Sequence, residues 1–244
     1  MKRIIAAGCS FTQGDGTYVE YLQNKGIDVV NAGSCAAGNA YIARAFLHHA
    51  YQDTNIIGIC QWSGIHRQGF LTDDPAVIHH LKKISQAGVA RGDYYDENNS
   101  HNKDLVWIKT GGNRLDAGNN SKLVYEKFVA PYIRHFYNKE QCLVETAEAI
   151  LRVYHYCELH KIRCYMMWWK PELIHYKLGK YSKPLWDMIV DNKYITWLPS
   201  IGGWCVENAE LDPEYLGTGG HPNPEHQLAY TESVLIPNVC QQNT

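Results

Sequence analysis

No apolar stretch of this chain approaches the ~20 residues needed to span a bilayer. Its first residues, Met1-Lys2-Arg3-Ile4-Ile5, carry no signal-peptide h-region and no small-residue cleavage site, and they read as the approach to a strand. Neither sign of charge dominates: 23 basic residues stand against 25 acidic ones, a formal net charge of -2. That balance removes the usual electrostatic ground for a nucleic-acid or membrane-surface partner. The eight cysteines contain no Cys-x-x-Cys pair, and without a secretory leader they are expected to be reduced thiols. No internal repeat, coiled-coil heptad or Walker lysine pattern is present. The adjacent pairs His48-His49 and His79-His80 would diverge on a helix, so a shared metal is not expected there. These absences lead to the expectation of a cytoplasmic, non-membrane protein.

What is present points to one large domain. At 244 residues the chain can bury a sizeable core. Its 17 tyrosines and 7 tryptophans cluster toward the middle and the C-terminal half, where core packing is their first expected use. Strand and helix alternate through the first sixty residues: strand Ile4–Ala7, helix Tyr18–Lys25 closed by Gly26, strand Ile27–Asn31, helix Asn39–Tyr51, strand Asn55–Trp62. That rhythm predicts βαβ units, a mostly parallel sheet and a three-layer α/β/α sandwich of flavodoxin-like type. Between about residues 65 and 122 the pattern breaks into polar, turn-rich sequence. This reads as an insertion within a single domain 1–244, with a short helix near Pro75–Gln86 and a hairpin around Val106–Lys109. Helices are then expected over Val124–Asn138, Glu140–His160 and Lys183–Val190, with a strand over Arg163–Trp169. In the second of these helices Leu143, Ala147, Ile150, Leu151 and Tyr154 fall on one face. A loop-rich tail, Pro199 to Pro224, leads to a last helix over Glu225–Val234.

Two short strings carry the chemistry. Gly8-Cys9-Ser10-Phe11-Thr12 follows the first strand directly, so its turn holds a serine hydroxyl at the strand's C-terminal edge. Gly220-His221-Pro222-Asn223 presents a histidine just before the last helix. A serine hydroxyl is a weak nucleophile until a base takes its proton, and the fold is free to unite the two from opposite ends of a chain.

With Asn31-Ala32-Gly33-Ser34-Cys35-Ala36-Ala37-Gly38-Asn39 after the second strand and Gln61-Trp62-Ser63-Gly64 after the third, the chain resembles the SGNH/GDSL hydrolase superfamily. More narrowly it resembles the phage- and bacteria-associated branch with a Gly-Cys-Ser-Phe-Thr nucleophile block. The resemblance implies Ser10 as nucleophile, His221 as general base, and an oxyanion bound by backbone N–H groups of Ser10 and of Gly38 or, in another registration, Ala36. Asn39 either donates to the oxyanion or caps its helix. The family's Asp three residues before the histidine is replaced by Thr218, and Asp212, a backbone carbonyl or a water are the stand-ins. The family's Gly-x-Asn-Asp block is also absent, leaving Gln61 or Ser63 as donor, while Asn113 lies in the insertion.

The implied activity is a metal- and cofactor-free serine esterase that removes small acyl groups, such as acetyl, from a carbohydrate-like or other small-molecule ester. The alternative is a catalytically degenerate SGNH-like binding or structural module, virion-associated and with virion protein partners.

Overall fold

The computed structural model describes residues 2–35, 37–72, 75–76, 106–109, 126, 130–170, 176–192, 195–217 and 220–241. Its spine is a parallel sheet built from β1 (Arg3–Ala7), β2 (Val29–Asn31), β3 (Ile56–Trp62), β6 (Arg163–Trp168) and β7 (Thr196–Trp197), in the order β2-β1-β3-β6-β7. Every residue of β3 is buried, as a central strand covered on both faces requires. On one face α2 (Asn39–Gln52) packs against β1 and β3 and against α4 (Lys139–Leu159), which in turn holds α5 (Ser182–Val190). Another helical group joins α1 (Tyr18–Asn24), α6 (Ile201–Asn208), α8 (Pro224–Tyr230) and a π-helical segment, Thr231–Cys240. Two shorter helices, α3 (Ala130–His135) and α7 (Pro213–Gly217), complete the described helices. The fold is α/β, a three-layer α/β/α sandwich with the flavodoxin-like strand order. Among the described residues no helix is long and apolar enough to cross a membrane.

Local chemistry explains the main elements. The predicted stripe on α4 is the buried one, with Leu143, Ala147, Ile150, Leu151 and Tyr154 all inside the core. Asn138 starts that helix by accepting the N–H groups of Glu140 and Gln141 at 2.8 and 3.3 Å. The expected hairpin near Val106–Lys109 proves to be a long-range ribbon. β5 (Val106–Lys109) pairs antiparallel with β4 (Gly69–Thr72) as a separate two-stranded sheet, across the polar stretch between them. The predicted helix Pro75–Gln86 falls almost wholly outside the described residues. So does the start of the one predicted over Val124–Asn138, of which α3 is the described portion. The tail from Pro199 to Pro224 is more ordered than its composition suggests. Ser200 caps α6 by accepting the Gly203 N–H at 3.2 Å, which offsets the poor helix propensity of Gly202-Gly203.

One carboxylate joins α4 to α5. Glu140 accepts the backbone N–H groups of Gly179, Tyr181 and Ser182 at 3.0, 2.8 and 2.7 Å, and the Ser182 hydroxyl at 2.9 Å. Hydrogen bonding, led by the Ser182 N–H, holds its pKa below the ordinary glutamate value. A depressed carboxylate pKa stabilises the fold above the unfolded-state value, and that contribution disappears as pH falls through the folded-state value. Glu140→Gln is therefore expected to lower the Tm at neutral pH and to flatten the acid side of the Tm–pH curve. Thermal melts of both proteins between pH 3 and 7 check this.

Candidate active site

The C-terminal edge of a parallel sheet is where α/β folds gather ligands, because each strand there hands over to a loop. Ser10 follows β1, the Ala32–Gly38 stretch follows β2, Gln61 and Trp62 end β3, and Trp168-Trp169 end β6. The serine turn is tight: Thr12 N–H and Gln13 N–H both donate to the Cys9 carbonyl, at 2.9 and 3.1 Å. Gly8 makes that closure possible. A Cβ there would stand 2.0 Å from the Thr12 hydroxyl oxygen and 2.9 Å from Gln61 Oε1, so no larger residue fits.

Gln61 is the keystone beneath the turn. It is fully buried, and its Oε1 accepts the Cys9 N–H at 3.1 Å, the Cys9 thiol at 3.2 Å and the Thr12 hydroxyl at 3.2 Å. Its Nε2 donates to the Trp62 carbonyl at 2.7 Å. The loop after β2 is strapped to the same turn. Ser34 N–H donates to the Gly8 carbonyl at 2.9 Å, Asn31 Nδ2 donates to the Thr12 carbonyl at 3.1 Å, and Cys35 N–H donates to Gln13 Oε1.

The histidine arrives from the other end of the chain. Asn223 accepts the His226 N–H at 2.9 Å and Pro224 occupies the first turn, so α8 begins abruptly behind the loop. Tyr21 of α1 donates to the Pro224 carbonyl at 2.9 Å. Gly16, at φ +70, lets the serine-side loop approach the Pro224 ring, which a Cβ would meet at 2.9 Å. Together these contacts set His221 Nε2 2.5 Å from Ser10 Oγ. Phe11 forms a shelf for the imidazole, with ring centroids 4.5 Å apart.

The electrostatics favour a neutral imidazole. Burial, and then the nearby Arg67 guanidinium, lower the His221 pKa below its ordinary value of about 6.5. His221 is open to solvent at its surface, so this packing is one-sided. With its proton on Nδ1, Nε2 would accept the Ser10 hydroxyl, the arrangement that general-base chemistry requires.

The remaining sequence-predicted residues separate by position. Gly38 immediately precedes α2, and its N–H has no acceptor among the described residues. The same holds for the Ser10 N–H, so the two backbone donors expected for an oxyanion are both available. Ala36 lies outside the described residues. Asn39 neither caps α2 nor remains free to donate. It follows the Gly38 cap, and its amide pairs with the Ser63 backbone, accepting N–H at 2.8 Å and donating to the carbonyl at 3.1 Å, with a further bond to Thr146 at 3.1 Å. Gln61 is committed to the turn, and Ser63 is fully buried, its hydroxyl without a hydrogen-bond partner among the described residues. Asp212 accepts the Glu214 N–H at 2.8 Å within its own turn. Among the described residues no carboxylate acts on the His221 pKa, whose one charged neighbour is Arg67. Thr218 and Asn113 lie outside the described residues.

Arg67 is the site residue that sequence reading missed, and it lies against Trp169, one of a tryptophan pair for which the sequence offered either sugar stacking or a core role. Trp169 is fully buried, meets Phe11 edge-on at 5.5 Å and carries the Arg67 guanidinium 5.4 Å from its ring centroid. A lone arginine in an irregular loop after β3 belongs to no spacing pattern, and its backbone is seated here by the Gly64 carbonyl and by close approach to Gly38.

No family model matches the chain, and no curated protein matches it.

Proposed function

We propose that this protein is an SGNH-type serine ester hydrolase whose minimal catalytic unit is the Ser10–His221 dyad. The observation that carries the reading is the 2.5 Å approach of Ser10 Oγ to Nε2 of an imidazole held neutral by its surroundings. Ser10 attacks the ester carbonyl while Nε2 takes its proton. The N–H groups of Ser10 and Gly38 receive the oxyanion. The imidazolium then protonates the departing alcohol, leaving an acyl-Ser10 ester. A water molecule, deprotonated by His221, attacks that ester, and collapse returns the proton to Ser10 and releases the carboxylic acid. Every step runs on this chain's own groups. Small acyl esters of hydroxylated, carbohydrate-like substrates are the proposed class.

A fluorophosphonate probe tests the reading directly. Labelling located at Ser10 by mass spectrometry, and lost in Ser10→Ala and His221→Ala, is the expected result. Absence of labelling on a folded protein would overturn it in favour of the degenerate binding module. The lack of a carboxylate acting on His221 among the described residues is the observation on that module's side.

The lowered pKa also fixes the sign of the pH dependence. The neutral imidazole is the active form, so kcat/KM is expected to hold as pH falls through 6.5 and to reach half-maximum only at a lower pH. A kcat/KM profile on a chromogenic acetate ester, buffered from pH 4.5 to 8.5, measures that midpoint.

A further inference from the structure

The wall beside the dyad is cationic and aromatic. Arg67 is a buried arginine, 7% exposed, with its guanidinium 5.4 Å from the Trp169 ring centroid. Lys170 Nζ lies 4.5 Å from the same centroid. Trp169 meets Phe11, and Phe11 meets His221, so both cations sit one or two rings from the reacting atoms. The Trp169 indole N–H, buried and with no hydrogen-bond partner among the described residues, adds a further donor to this wall. The arginine is held there by backbone. Its N–H closes a turn on the Gly64 carbonyl at 3.1 Å, and its carbonyl rests so close to Gly38 that a Cβ there would stand 2.1 Å away.

This arrangement opposes its own chemistry when no substrate is present. Taking the Ser10 proton makes an imidazolium, and a fixed guanidinium beside it disfavours that charge. An anion bound beside Arg67 offsets that effect at the moment the proton moves.

We propose that the ester substrates of this site carry an anionic group, a carboxylate or a phosphate, held by Arg67 with Lys170 beside it. The inference rests on the Ser10–His221 hydrolase reading and names its substrate class. A guanidinium suits this task because its planar fork binds two oxygens of a carboxylate or phosphate at once. The substrate then brings a negative charge to the side of the dyad.

The experiment measures kcat/KM of the full chain on matched acetate esters: methyl 4-acetoxybenzoate (neutral), 4-acetoxybenzoate (carboxylate) and 4-acetoxyphenyl phosphate. Phenyl butyrate against phenyl hydrogen succinate places the charge on the acyl side instead. Each anionic-to-neutral ratio is read within one protein. The expected wild-type ratio is about tenfold or more in at least one arm, as one charge-assisted contact provides. It should fall toward one in Arg67→Gln, be partly kept in Arg67→Lys and be reduced in Lys170→Gln. Which arm responds assigns the anion to carboxylate or phosphate, and to the alcohol or acyl side. Ser10 labelling with wild-type ratios near one in every arm overturns this inference and leaves the hydrolase reading standing. Absence of labelling on folded protein overturns both. The wild-type ratio decides even if Arg67→Gln does not fold.

Discussion

His221→Ala is expected to lower ester turnover by about 10²–10⁴-fold, the range general-base catalysis by one side chain supplies. Deleting the base of a complete triad costs about 10⁶-fold, but up to ~10⁴-fold of that depends on an acid that orients and charges the imidazole. Among the described residues no carboxylate acts on His221. With no such acid at work, the wild-type ceiling is lower and the loss correspondingly smaller. Ser10→Ala removes the covalent route as well, and its residual rate should equal that of the double variant, because two groups serving one proton transfer are not additive. Initial rates on an activated acetate ester, with circular dichroism to confirm folding, measure all three variants. A double variant slower than Ser10→Ala by another factor of ten would mean that His221 acts somewhere other than on the Ser10 hydroxyl.

The framework of this site was legible in the sequence because it follows strand order. Ile4–Ala7 and Asn55–Trp62 are apolar runs that only a doubly covered sheet can use, and a Gly-Cys-Ser turn after the first of them leaves the hydroxyl at the sheet edge. His221 was legible for a similar reason, since Pro222-Asn223-Pro224 announces a helix start that fixes the preceding residue. The roles of Asn39, Gln61 and Ser63 were not legible. An amide side chain reads the same whether it faces substrate or replaces a missing backbone partner, and only burial separates the two uses. Asn39 mimics a strand by exchanging both bonds with the Ser63 backbone, and Gln61 serves as an internal acceptor for a turn that no strand reaches. The β4–β5 ribbon was half legible. Val106–Lys109 announces a strand, but its partner Gly69–Thr72 stands across a long polar stretch that no local rule can bridge.

Gln61→Leu is expected to destabilise the protein by about 1–3 kcal/mol, the cost of a buried donor or acceptor left unpaired. One backbone group is orphaned, the Cys9 N–H, buried with the side chain that serves it, whereas the Trp62 carbonyl keeps the Trp169 N–H at 3.0 Å. The Thr12 hydroxyl escapes this penalty, because Tyr18 Oη at 3.1 Å remains as its partner. For a chain of this size the shift in Tm is roughly 2–12 °C. Leucine nearly matches glutamine in volume, so the loss isolates hydrogen bonding from packing. Gln61→Glu separates acceptor from donor. Its carboxyl still accepts from Cys9 and Thr12, but burial raises its pKa, so the folded state holds a proton that the unfolded state releases. Its stability should therefore be greatest at acid pH and fall as pH rises, whereas the deficit of Gln61→Leu carries no such slope. Denaturant melts at pH 5 and pH 8 distinguish the two. Under native conditions, fluorophosphonate labelling of Gln61→Leu should also slow, because the turn that aims Ser10 Oγ at His221 has lost the acceptor from beneath it. A variant that melts like wild type would mean that the turn holds its shape through the Cys9 carbonyl bonds alone.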